Sequence, residues 1–244
     1  MPFQGKIYGY QRIFQAFKNY CIKELKEYLI KAELSEKQMR KIMKDHHIKG
    51  QNRSGKPYKQ NEDKQTKNWT EQMDLIKNNY TISPDQVVWS MDIKYIATNE
   101  GWFYINVIRE FNSQAIVGYH MLNEMSYENF VLPSLEMAVN LYKKLNISLE
   151  HIIVHTDNGM QYYAKDFLNY LDKYQMKPSK KQPNKFGGNA LSENWFYHIS
   201  VEWIRERVYE TFGEAKQDIE EYIQFYNYER IHSKWNDIPM NYLV

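Results

Sequence analysis

The stretch VVWSMDIKYI, residues 87–96, alternates so that Trp89, Met91, Ile93 and Tyr95 share one face of an extended chain and Ser90, Asp92 and Lys94 share the other. A period of two marks a strand, and Asp92 is an odd occupant for the middle of one so apolar. Downstream, TNEG reads as a turn, WFYINVI as a second strand and AIVGYHM as a third, so residues 87–121 are expected to form a three-stranded antiparallel meander. SYENFVLPSLEMAVNLYKKL reads as a helix in which Pro133 either makes a kink or marks the first turn. HIIVH follows as a short buried strand. The order β-β-β-α-β calls for a mixed sheet with a helical crossover.

Asp157 stands just past the end of that fourth strand, before the Asn158-Gly159 turn signal, at the sheet edge where α/β sites usually form. KDFLNYLDKY then reads as a helix and QMKPS as a short strand. After the loop KKQPNKFGGNA, a long helix is expected from near Leu191 through LSENWFYHISVEWIRERVYE, with Glu193 in its first turn. A stripe of Tyr197, Ser200, Val201 and Ile204 would pack this helix on the sheet. Trp195 and Trp203 read as core or subunit contacts rather than stacking platforms for bases.

The chain has 244 residues, enough for one sizeable core and a small appendage. Its charge is uneven. Residues 1–84 carry 17 Lys and Arg against 9 Asp and Glu, a net +8, whereas residues 85–244 carry 15 against 21, a net −6. A basic arm on an acidic body suits a chain that grips a polyanion with one part and gathers carboxylates in the other; ordinary fluctuation of charge is the plain alternative. Within the arm, Ile22, Leu25 and Leu29, and then Met39, Ile42 and Met43, recur at helical spacing. Ser35 followed by Gln38 is a capping-box signature for the second helix. Lys37, Arg40, Lys41 and Lys44 fall on that helix's outer side, as a helix-turn-helix facing phosphates needs and as an amphipathic hairpin with a solvated face also allows. Residues 49–68 read as a basic linker. A single cysteine, Cys21, excludes an internal disulfide, so any metal must be held by oxygen or histidine. No stretch approaches the roughly 18 apolar residues of a membrane helix, and the first residues lack a secretory segment, so a cytoplasmic, nucleoid-associated protein without membrane contact is expected.

Three acids on three elements remain: Asp92, Asp157 and Glu193. Singly, each reads first as a cap, a turn residue or a surface charge. Together they would converge in a ribonuclease-H-like fold, and clustered carboxylates persist mainly where cations neutralise them. Magnesium, a hard ion that prefers oxygen ligands, fits such a set. Exactly 35 residues separate Asp157 from Glu193, and the local strings are WSMDIKYI, HTDNGMQY and GNALSENWF. These strings resemble the catalytic core of the insertion-sequence-three family of bacterial transposases, relatives of retroviral integrases whose acids follow an Asp, Asp, 35-residue gap, Glu pattern. EGWFYINVI and AIVGY resemble the family's second and third strands, YGYQRI the start of its second helix-turn-helix segment, and FYNYERIHSKWNDIPMNYL its C-terminal ending, so the likeness runs from Tyr8 to Leu243.

The resemblance implies an α/β, ribonuclease-H-like mixed five-stranded sheet flanked by helices, preceded by a small helix-turn-helix-like segment. The corresponding division is 1–48 for that segment, 49–84 for a basic linker, 85–212 for the catalytic core and 213–244 for a C-terminal helix and tail. It implies a DNA transposase that uses water and then a 3′-hydroxyl on phosphodiesters, with Asp92, Asp157 and Glu193 as ligands of two Mg2+ (or Mn2+) ions. Lys180, Lys181 and Lys185 are expected to meet phosphate; Gln161 and Tyr162 resemble positions near the active site and are expected to contact DNA; Asn189 resembles the asparagine before the family's glutamate, where its amide either binds phosphate or caps the helix; Arg40, Lys41 and Lys44 would bind DNA through the arm. Arg230 and His232 either bind DNA or brace the final helix, and His155 either touches DNA or is a satisfied histidine at a strand end. Expected partners are element-end and target DNA, further copies of the chain, and the helix-turn-helix protein of the upstream reading frame. The alternative is a non-catalytic, truncated DNA-binding remnant that regulates transposition. The chain departs from the family at Glu110, where Asp is usual, at Gly188, and at Ser200, where a lysine tends to stand.

Overall fold

A computed structural model describes residues 11–17, 35–48, 74–76, 83, 85–124, 130–157, 159–181, 190–205 and 207–243, without the side chains of 160, 163 and 190–193. Helix α1 covers residues 11–17 and α2 Glu36–Asp45. Ser35 and Gln38 form the expected capping box, each closing on the other's backbone amide. Met39 and Met43 are buried against Phe14 of α1, while Ile42 is 40% exposed, so α2 packs by a narrower stripe than its sequence suggested. The expected helix at Ile22, Leu25 and Leu29 and the linker at 49–68 lie outside the described residues.

The sheet begins with β1 (Val88–Thr98) and β2 (Gly101–Glu110), joined by a two-residue turn and registered antiparallel from Trp89↔Glu110 to Thr98↔Gly101. Gly101 takes φ +126°, which a side chain would strain. Antiparallel β3 (Ile116–Leu122) pairs with β2, with a register shift at Ile108/Arg109. Helix α3 (Leu132–Lys144) then crosses over, and Pro133 sits in its first turn rather than at a kink. Strand β4 (Ile153–Thr156) enters beside β1 in parallel; α4 (Lys165–Lys173) leads to β5 (Lys177–Lys180), parallel to β4. The order β3-β2-β1-β4-β5 is the expected mixed, ribonuclease-H-like sheet.

Helices cover both faces. On one, Trp89, Met91, Ile108, Val117 and Val154 bury against Leu135, Ala138 and Val139 of α3 and Phe167 and Leu171 of α4. Gly118 allows α3 to approach closely: a Cβ there would lie 2.2 Å from the Ser134 carbonyl oxygen. On the other, Ile96, Phe103, Ile105, Val107 and Met121 meet α5 (Ala190–Ile199) and α6 (Phe212–Tyr228). The C-terminal helix α6 shares this core through Ile219, Tyr222, Ile223 and Tyr226.

The long helix expected from Leu191 is shorter. It passes at Ser200 into a π-helical turn, Ser200–Ile204, where the Ser200 hydroxyl donates to the Phe196 carbonyl at 2.5 Å. The buried stripe is Trp195, Phe196, Ile199 and Trp203, with Tyr197 37% exposed, so the helix turns a different face to the sheet from the one expected. Trp195 and Trp203 are core residues, as read from the sequence.

Candidate active site

The parallel pairing of β1 with β4 decides where the acids go. Val88↔Ile153, Trp89↔Val154 and Ser90↔His155 share a constant offset of 65. Carried two residues past the last pair, the same offset sets Asp157 against Asp92, on the face to which Ser90 and His155 belong. Asp92 remains in β1, opposite Val107 on β2, and its Oδ1 accepts from the Ile93 amide at 2.9 Å. Asp157 has left β4, and its Oδ1 accepts from the Gly159 amide at 2.9 Å, closing a turn that leads the chain away.

Beneath them lies Tyr162, buried, with its hydroxyl donating to Asn106 Oδ1 at 3.3 Å; Asn106 in turn donates to Ser134 Oγ at 2.5 Å. Burial pushes the Tyr162 phenol well up, and the charges of Asp157 and Asp92 push it further, so both carboxylates act on one phenol. Burial also pushes the Asp157 carboxyl above the usual range; the Gly159 amide and the Lys181 ammonium pull the other way and do not restore it.

Two lysines flank the pair. Lys181 donates its amide to Thr156 at 2.9 Å, which holds the end of β5 beside Asp157, and Lys180 pairs with Thr156 in the ladder. Lys94 follows Asp92 by two residues on the same face, with its ammonium 5.8 Å from the ring centre of Phe196 on α5. Burial lowers the Lys94 pKa, with Asp92 opposing.

Glu193 is the fourth residue of α5, a helix that packs on β1 and β2; its side chain lies outside the described residues, as do Lys185 and Asn189. Among the described residues no three His, Cys, Asp or Glu side chains gather in the manner of a metal site. Gln161 is partly buried and hydrogen-bonds Tyr162. Arg40, Lys41 and Lys44 occupy the exposed side of α2, opposite Met39 and Met43.

One expectation changes, and two open alternatives close. Tyr162 is a floor residue with no surface to offer DNA. His155 is buried, its Nδ1 2.9 Å from Ser179 Oγ, and is the satisfied strand-end histidine. Arg230 is fully buried and does not face solvent: its Nε and Nη2 donate to Glu202 at 2.7 and 2.5 Å, so of the two roles open to it the structure fits bracing and not phosphate contact. The partner in that brace, Glu202, was missed from the sequence. Glu202, in the π turn, also accepts from Tyr222 at 2.9 Å, lies 3.1 Å from His198 Nδ1 and 3.5 Å from Arg12 of α1. The available signal was a glutamate in the string HISVEWIRERVYE, four residues after His198, and an arginine in FYNYERIH.

Two integrase core domain families match the chain, one over residues 84–185 and one over residues 193–243. An uncharacterized transposase-like protein of Haemophilus influenzae is 26% identical over 171 residues, which cover 69% of this chain and 76% of that protein. The transposase InsF of insertion sequence IS3A from Escherichia coli is 29% identical over 160 residues, 65% of this chain and 54% of that transposase, so the chain spans about half its length. The integrase catalytic core domain of HTLV-2, solved with magnesium, superposes with a TM-score of 0.46 at 12% identity, over 63% of this chain and 93% of that one. No helix among the described residues is long and apolar enough to cross a membrane. By these matches the chain carries integrase core sequence over residues 84–185 and 193–243 and is similar to transposases of the insertion-sequence-three type.

Proposed function

We propose that this chain is the catalytic part of a DNA transposase, cutting phosphodiesters and joining the freed 3′-hydroxyl to target DNA, with Asp92, Asp157 and Glu193 as its working acids. The observation that carries the reading is the β1/β4 offset, which brings Asp92 and Asp157 to one side of the sheet where the two strands part. The donor set suits hard divalent cations: a desolvated carboxylate whose pKa is pushed up gains from a positive partner, and oxygen ligands favour Mg2+ or Mn2+. Two such ions, when bound, supply Lewis acidity to the phosphoryl oxygens and lower the pKa of the attacking hydroxyl. The chain's own part is to hold the acids in place. Strand β1 fixes Asp92, the Gly159 amide orients Asp157, and α5 carries Glu193 over the same face. Lys180, Lys181 and Lys185 bind phosphate beside Asp157, and Arg40, Lys41 and Lys44 extend the grip through the arm. Further copies of the chain and an upstream-frame DNA-binding protein complete the assembly on element ends.

The test is a nicking and strand-transfer assay on oligonucleotides with Mg2+. Asp157→Asn keeps the acceptor for the Gly159 amide and removes the charge. It should lower the rate about a hundredfold or more, because metal-borne charge stabilisation is worth several kcal/mol and each 1.4 is about tenfold. Equal activity in that variant removes Asp157 from the mechanism. No activity in the unaltered chain, with DNA binding kept, favours a regulator that occupies DNA without cutting it.

A further inference from the structure

Lys94 is unexpected beside a carboxylate that must accept metal. It shares the face of Asp92 on β1, is partly exposed, and its ammonium lies near Phe196, one helical turn after Glu193 on α5. It thus stands between two of the three elements that carry the acids. Resting on the reading above, the geometry points to Lys94 as a phosphate-binding residue of the site: counter-ion to Asp92 while the site is empty, and contact for a DNA backbone phosphate once it is filled.

Charge balance argues for the second half of that role. When divalent cations occupy the carboxylates, Asp92 no longer serves Lys94, and an ammonium beside a metal pair is repelled unless an anion joins it. The anion that arrives with the substrate is phosphate. Lysine suits it, as a compact point charge on a flexible stem that can turn from one partner to another. The neighbouring helix supplies no rival: residues 190–204, ALSENWFYHISVEWI, contain neither Lys nor Arg. Lys180 and Lys181 approach from β5, on the far side of Asp157. Lys94 therefore covers the β1–α5 side of the bound strand, and Phe196 limits where its ammonium goes through a cation–π contact.

The experiment measures binding of a fluorescent DNA duplex to the full chain across a salt series, with Ca2+ present, for the unaltered protein, Lys94→Met and Lys94→Arg. Lys94→Met keeps the stem that packs near Phe196 and should weaken binding several-fold, with the slope of log K against log salt falling by about 0.9, the loss of one phosphate contact. Lys94→Arg should restore both. Thermal melting of each variant reports folding, and if Lys94→Met does not fold, Lys94→Gln takes its place. Unchanged affinity and slope overturn the inference, and so does a variant whose only change is activation at lower Mg2+, which would make Lys94 an internal counter-ion and nothing more. Cleavage in Mg2+ reports separately on the transposase reading: a chain that cuts DNA but is indifferent to Lys94 defeats this inference alone.

Discussion

Asp157 and Glu202 are both withdrawn from water, and the chain treats them in opposite ways. Burial pushes Asp157 up, and the Gly159 amide and Lys181 only soften the effect. Burial would push Glu202 up as well, yet Arg230 and His198 more than reverse it and hold that carboxyl far below the usual range. At Glu202 every oxygen has donors from other elements: Arg12 from α1, His198 from α5, and Tyr222 and Arg230 from α6 and its end. At Asp157 one oxygen takes a single local amide. A carboxylate whose partners are all supplied by the fold is part of the fold, whereas one left short of them retains capacity for something the fold does not contain.

Removing each acid in turn separates the two most strongly. Glu202→Ala leaves Arg230, which has no exposed surface, as an uncompensated buried charge and should cost about 3–5 kcal/mol in a denaturant titration. Asp157→Asn should show no such loss in the same titration, although it removes activity. Replacing both partners, Glu202→Leu with Arg230→Met, should recover most of the stability, because paired charges of this kind contribute little over well-packed apolar groups. A double variant as unstable as Glu202→Ala would mean that the site needs the shape of the ion pair and not its neutrality.

How far each region could be read from sequence follows from the range of its interactions. The meander, the crossover helix and the β4 strand were legible because period-two alternation and the run of apolar residues are local. That Asp92 and Asp157 both act on Tyr162 needed only one long-range fact, that β4 lies parallel to β1, and the order of elements carried that. The Glu202 brace was not legible. It joins residues 28 apart, Glu202 and Arg230, and depends on a π turn that ordinary helical periodicity does not anticipate. The stripe expected at Tyr197, Ser200 and Val201 lay one position off the buried one, because Trp195, Phe196, Ile199 and Trp203 keep helical spacing equally well. The packing of α1 on α2 through Phe14 and Met39 was hidden for a similar reason, since three apolar residues at helical spacing do not say which helix they meet.

A smaller effect separates the two acids by pH. The pKa of Glu202 is depressed in the folded chain, so its contribution is complete above the unfolded value near 4.5 and is lost as pH falls below it. That of Asp157 is raised, so the folded chain holds a proton that the unfolded chain has released, and stability declines as pH rises from about 3.9 through the folded value. Asp157→Asn should flatten only the second trend and Glu202→Gln only the first, read as denaturant midpoints across the acid range. The same trend in both variants would erase the distinction between them.

The finest probe lies beside the brace, at His232. Burial lowers its pKa to about 3, with the charges of Arg109, Arg230, Arg12 and His198 adding to the effect. Its Nδ1 accepts from the Lys234 amide at 3.2 Å, which requires that nitrogen to be unprotonated. Between about 6.5 and 3 the unfolded chain therefore binds a proton that the folded chain refuses, and stability should fall on acidification by up to about 1.4 kcal/mol per pH unit. This loss begins two units above that of Glu202, so it can be measured while the carboxylate network is still fully charged. His232→Asn supplies an amide oxygen for the Lys234 amide and should remove the acid slope above pH 4.5 and reduce it between 4.5 and about 3, where Glu202 still contributes. Persistence of the full slope would move its origin to His198, whose pKa is also lowered by burial but opposed by Glu202, and His198→Gln would then flatten it instead. Either result keeps acid sensitivity in the brace, where the positive charges crowd; a slope carried by neither histidine would place its origin outside the brace, and not at Asp157, whose raised pKa gives a trend of the opposite sign.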